Sequence, residues 1–196
     1  MKKAFLLVVI LFVSVISTAC INNLAVQELN NKAKVYLDQG DYENAISRLK
    51  SSIDLDSTIF ETHYNLGIAY TQAEKYPEAI ETFTNALKIK PDFTDTYYSL
   101  AIAQENFAKG IIDGSIMPDG KALAKVEQKD KKEDEAPQKK ELTKEEKTAV
   151  VQLFNDSLES YNNYLEKSQT ADNKSEVEEK IGYLKTQIEK YTTEKQ

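Results

Sequence analysis

The sequence predicts an all-α fold, a short array of helical hairpins, and three observations carry that prediction. Apolar and small residues recur at three- and four-residue steps over most of the chain, so successive segments each present one sticky face as a helix. Key positions then recur 34 residues apart, as in Tyr36 and Tyr70, Ala45 and Ala79, Leu49 and Phe83. Finally, six Gly and four Pro in 196 residues supply too little turn punctuation for a sandwich or barrel. The formal net charge of −7 argues against nucleic acid as a partner, because phosphate binding needs a basic face and none is visible.

The first residues are of a different material. Lys2 and Lys3 precede an apolar run from Ala4 to Val13, and small residues follow up to Cys20. The run is short for a membrane span of about 20 residues, and the pattern reads as an export signal. Ser17-Thr18-Ala19-Cys20 also resembles a bacterial lipobox, with Ser17 where Leu is usual. That resemblance implies that residues 1–19 are removed and that Cys20 carries acyl chains, with 20–25 serving as anchor and tether. Cys20 is the only cysteine, so no intramolecular disulfide can form. The implied location is a membrane-anchored lipoprotein outside the cytoplasm, on the periplasmic face of an outer membrane if the host has two membranes. The remaining chain is acidic, so attachment would rest on acyl chains rather than a basic patch.

From Val26 to Ile59 a first hairpin is expected, with Gly40-Asp41 at its turn, where Gly is free to adopt a left-handed backbone. The second hairpin, Phe60 to Phe93, is the clearest. Its helices are expected at Glu61–Gln72 and Pro77–Lys88; Pro77 lies in a first turn, where a missing N–H costs nothing, and Pro91 closes the unit. The order His63-x2-Leu66-Gly67-x2-Tyr70, Ala79-x3-Phe83, Pro91 resembles the tetratricopeptide repeat, with His63 standing where Trp is usual. The first hairpin departs from that pattern at Lys32-Ala33 and at Ser57.

Tyr97-x2-Leu100-Ala101 begins a third repeat, which the sequence interrupts. Repeats one and two and this first helix are thus placed at 26–108. Residues 109–143 are expected to form a disordered charged insertion, since seven Lys face six Asp or Glu between Lys121 and Glu141, with transient helix at Ala122–Gln128. On this reading a short Gly/Ser linker could replace Gly110–Leu142 with little loss of stability. Ile111, Ile112, Ile116 and Met117 are the clustered apolar residues within it. Thr143 and Glu146 have capping-box spacing, and the displaced second helix of repeat three is expected at 144–168. Val177, Ile181, Leu184 and Ile188 then mark a capping helix at 173–193.

No catalytic constellation is legible. His63 is the only histidine and occupies a hairpin-packing position, no glycine-rich phosphate loop occurs, and no cofactor or metal site is expected. An exported enzyme is therefore the weakest reading. The resemblance implies instead that the first helix of each hairpin lines a concave groove for peptides or helices of a protein partner. Carried onto this chain, the groove would include Asn30, Lys34, Tyr64, Asn65, Ile68, Tyr98 and Ile102, along with Asp95 and Glu105. Tyr64, Ile68, Tyr98 and Ile102 would make an apolar strip, which a loop or long helix of the chain itself could also cover. Some relatives grip a C-terminal carboxylate with Lys, Asn and Arg. Lys34 and Asn65 fit two of those positions, but Asp95 and Ser99 stand where cations should be, so no such clamp is expected. Two functions follow: a membrane-tethered, non-catalytic interaction module or scaffold of the cell envelope, or a structural subunit of an envelope assembly that uses its convex face.

Overall fold

The computed structural model describes residues 23–121, 141–168 and 172–193. Among them are seven helices and no strand. In chain order they are α1 (23–38), α2 (Tyr42–Leu55), α3 (Phe60–Gln72), α4 (Tyr76–Ile89), α5 (Thr94–Asp113), α6 (Lys144–Lys167) and α7 (Lys174–Thr193). The pairs α1/α2, α3/α4 and α5/α6 form three successive hairpins, and α7 packs on α6 as the cap. Each second helix also packs on the first helix of the next unit, α2 on α3 and α4 on α5, so the core runs on from hairpin to hairpin.

The turns show why the period holds and where it fails. At the end of α1 the Asp41 N–H donates to the Tyr36 carbonyl and Gly40 N–H to Leu37, with Gly40 at φ 74°. The same six-to-one closure recurs one period later, Lys75 to Tyr70, with Glu74 at φ 58°. The period would put the third closure at Ala108. It comes instead at Gly114, φ 76°, where Ser115 N–H donates to the Gly110 carbonyl. The extension of α5 past the expected boundary at 108 has a plain cause. Ala108 and Ile111 are buried, and Ile116 folds back onto Gly110 into the same cluster as Val150 and Phe154 of α6. The expected insertion is therefore ordered through Lys121 on its first side; residues 122–140, with the helix proposed at Ala122–Gln128, lie outside the described residues.

At the other end α6 begins at Lys144 as expected, held by the Thr143 capping box: Glu146 N–H donates to Thr143 Oγ1 at 3.1 Å and Thr143 N–H to Glu146 Oε2 at 2.8 Å. Hairpin three is thus longer than its predecessors, α5 and α6 having 20 and 24 residues against 13 and 14 for α3 and α4. Part of the segment expected as anchor and tether at 20–25 is helical. Asn23, Leu24 and Ala25 are already helical, because Val26 is buried and Asn23 accepts from Gln27 Nε2 one turn on. Cys20 and residues 1–19 lie outside the described residues.

Inside each hairpin a small residue on the first helix meets a large one on the second. Gly67 touches Phe83, and a Cβ there would lie 2.5 Å from the ring. In hairpin one the equivalent positions are Ala33 and Leu49, both fully buried in one cluster. The extra methyl on the first helix is matched by a smaller partner on the second, which keeps the helices at native packing density. His63 is buried and donates from Nε2 to the Ser57 carbonyl at 2.8 Å, tying α3 to the turn before it.

Candidate functional site

The first helices α3 and α5 and the cap α7 together form one face. On α5, Asp95, Tyr98, Ile102, Glu105 and Lys109 follow at three- and four-residue steps and so share one stripe. On α7, Glu176, Glu179, Lys180 and Tyr183 do the same. The two stripes meet: Tyr98 donates to Glu176 Oε1 at 3.3 Å, and Lys109 Nζ lies 5.6 Å from the Tyr183 ring centre. Between them is a cleft of about 340 Å³ lined by Glu105, Lys109, Glu176, Glu179, Lys180 and Tyr183. Tyr64 of α3 joins the same face through Ser99 Oγ at 3.4 Å.

The residues of the anticipated apolar strip pack against two core clusters, Tyr64 and Ile68 on one, Tyr98 and Ile102 on the other. Tyr64, Ile68, Tyr98 and Ile102 are all half-buried. Tyr64 sits among Phe60, Phe83 and Phe93, whose ring centres lie 5.9, 6.0 and 5.4 Å away. Tyr98 packs edgewise on Tyr161 and at a tilt on Tyr164, both of α6. Asn30 is different. Its amide points into the hairpin and donates to Ser52 Oγ and Thr62 Oγ1 at 2.9 and 3.0 Å, because two hydroxyls from α2 and α3 meet it there. Lys34 is exposed and Asn65 half-buried, and nothing among the described residues pairs with either.

Beneath the cleft lies a buried polar seam that the sequence did not reveal. Ser157 donates to the Ala101 carbonyl at 2.9 Å, Ser160 to Gln104 at 2.9 Å, and Tyr161 to Glu105 at 3.1 Å. All three pairs are 56 residues apart, so the seam sets the register of the split hairpin with a single offset. Glu105 is almost fully buried and is charge-paired by Lys109 at 2.5 Å. Only the Ser157-x2-Ser160-Tyr161 spacing hinted at it, and that pattern equally fits a weakly polar helix face.

Burial, and then the Glu105 carboxylate, push the Tyr161 phenol far above its ordinary value of 10.0. The folded chain therefore keeps a proton that the unfolded chain releases above pH 10. This stability is fully present below pH 10 and is lost as pH rises further. Alkaline titration monitored by circular dichroism is expected to show this decline. Tyr161→Phe is expected to flatten that limb while lowering stability at pH 7 by about 1–3 kcal/mol, since Glu105 loses a buried donor. An unchanged alkaline limb in Tyr161→Phe would mean that the decline arises elsewhere.

A second cleft of about 530 Å³ opens between α2, the end of α3 and the start of α4, lined in part by the ion pair of Lys75 and Glu43 at 2.6 and 2.8 Å. Among the described residues, no group of His, Cys, Asp and Glu is arranged to hold a metal ion. No described helix is long and apolar enough to cross a membrane.

Comparison with known proteins accords with this geometry. The family model described as "Tetratricopeptide repeat" matches residues 60–93, and one described as "TPR repeat" matches 33–73. Together the two matches span residues 33–93, from α1 to the turn after α4. A TPR repeat-containing protein of Methanocaldococcus jannaschii is 31% identical over 106 residues, which are 53% of this chain and 17% of that protein, so the chain matches only a small part of its relative. The solved TPR domain of Arabidopsis OM64 superposes with a TM-score of 0.57 at 10% identity, covering 84% of this chain and 98% of that one. The second TPR domain of human RPAP3, in complex with the HSP70 peptide SGPTIEEVD, gives 0.55 at 12% identity, with coverage of 84% and 98%. At such identities the likeness shows the fold alone, an all-helical hairpin array with a capping helix.

Proposed function

We propose that this chain is a non-catalytic protein-interaction module that binds a partner segment along the face built by α3, α5 and α7. The observation that carries it is the strip Tyr64, Ile68, Tyr98 and Ile102, half-buried and continuous with the cleft beneath α7. Side chains in that state are already ordered by their own packing, so a partner that covers them gains apolar burial at small entropic cost. The RPAP3 neighbour holds a peptide, which favours the same use of this fold.

Photo-crosslinking in cells tests the reading without disturbing the fold. A crosslinker at Asn65 or Glu179 on the groove side is expected to capture one protein that crosslinkers at Ser47 and Lys50, beside the second cleft, do not. The reverse pattern would favour the alternative, a structural subunit that makes its contacts through the α2 and α4 side.

The module is further proposed to be tethered as an envelope lipoprotein through Cys20, on the support of the charged start, apolar run and lipobox-like Ser17–Cys20. Since α1 is helical from Asn23 in the described residues, a lipid on Cys20 would hold the array close against the bilayer. Mass spectrometry of the mature N-terminal peptide is expected to find an acylated Cys20, lost in Cys20→Ala. A chain that still begins at Met1, or an unmodified Cys20, would remove the lipoprotein reading and leave the repeats untouched.

A further inference from the structure

The peptide SGPTIEEVD of the RPAP3 complex ends in the acidic segment EEVD. The face of this chain built by α3, α5 and α7 is itself acidic. It presents the exposed carboxylates of Glu61, Asp95, Glu176 and Glu179. Its two cleft lysines are already engaged, Lys109 with Glu105 at 2.5 Å and Lys180 with Glu176 at 3.9 Å. Glu61, Asp95 and Glu179 have no ion-pair partner among the described residues. An acidic peptide would meet uncompensated like charge here, which costs affinity and slows encounter.

Tyr183 provides the second observation. It is one of the few large apolar side chains left exposed, at 42%, and it forms a wall of the cleft. The Lys109 ammonium lies 5.6 Å from its ring centre, which shows that this ring is turned to receive a cation. Glu179 stands in the same cleft without an ion-pair partner among the described residues, so a further ammonium or guanidinium would find both an aromatic wall and an unpaired carboxylate.

We propose that the occupant of this face is a basic segment of a partner protein, its Lys or Arg side chains entering the α5–α7 cleft and its aliphatic side chains lying on Tyr64, Ile68 and Ile102. The proposal rests on the interaction-module reading and names its partner by charge. A second copy of this chain fits poorly, because at a formal charge of −7 each copy repels the other.

Fluorescence anisotropy with the full-length chain in neutral detergent separates the possibilities. The probes are two labelled nonapeptides, one alternating Lys with Leu and Ala, the other SGPTIEEVD. The variants are Glu176→Lys/Glu179→Lys in the cleft and Glu178→Lys/Glu189→Lys on the opposite side of α7, which change net charge equally at exposed positions. The basic peptide is expected to bind at least about tenfold more tightly than the acidic one, to weaken about tenfold in the cleft variant, and to hold within about twofold in the control variant. Equal losses in both variants would show general attraction to an acidic body and overturn the proposal. Tighter binding of SGPTIEEVD would overturn the charge assignment while keeping the groove as a binding face. Binding of neither peptide, with the Asn65 crosslink still present in cells, would likewise sink the basic-partner proposal and leave the module reading intact. Self-association that rises with protein concentration and is lost in the cleft variant would assign the face to a second copy.

Discussion

Replacing residues 110–142 by a short Gly/Ser linker is expected to lower the thermal midpoint by ten degrees or more. The sequence pattern suggests a tolerated insertion, since loop-closure entropy changes slowly with length. The first part of that segment is nevertheless core. Ile111 is 1% exposed and Ile116 6%, and both pack with Val150 and Phe154 where α5 meets α6. Removing one buried Ile side chain typically costs about 2–5 kcal/mol. Losing two would take a large share of a domain stability of roughly 5–15 kcal/mol, and at about 2–4 °C per kcal/mol the shift is large. Replacing only 122–140 separates the two effects. That variant is expected to melt within a few degrees of the parent by calorimetry, and equal losses in both variants would show that the midpoint depends on the length of the connection rather than on the two isoleucines.

Phe83→Ala is expected to destabilise the fold by about 3–5 kcal/mol, read as a shift in the urea midpoint without a change in slope. Phe83 is fully buried, its ring lies against Gly67, and its centre is 6.0 Å from that of Tyr64. The void would open in the middle hairpin, between helices that also support both neighbours. Gly67→Ala approaches the same contact from the other side. A methyl 2.5 Å from the ring must displace it, for about 1–3 kcal/mol. Gly67→Ala combined with Phe83→Leu recreates the pair that hairpin one uses, Ala33 with Leu49. The double variant is expected to lose clearly less than the sum of Gly67→Ala and Phe83→Leu measured singly. Simple additivity would mean that the two positions do not share one packing constraint.

The sequence by itself determined which segments are helical, where most of them turn, and that they stack. Apolar steps of three and four residues, the Thr143 capping box, Pro77 at a helix start and the 34-residue recurrence are local features, and a helix end is chosen by the few residues around it. Hence α3, α4 and α6 lie within a residue of the expected bounds. Tertiary structure alone decided how far α5 runs, how the split hairpin is registered, where Asn30 points and that α7 closes a cleft over α5. Each of these depends on partners distant in sequence: Ile111 on Phe154, Tyr161 on Glu105, Asn30 on Thr62, Tyr98 on Glu176. A periodic pattern states that a residue belongs to a face, but not what stands opposite it. The composition of hairpin three obscured the rest, because its interface is built partly from Ser, Gln and Glu, whose burial becomes favourable only when their hydrogen-bond partners arrive from another helix.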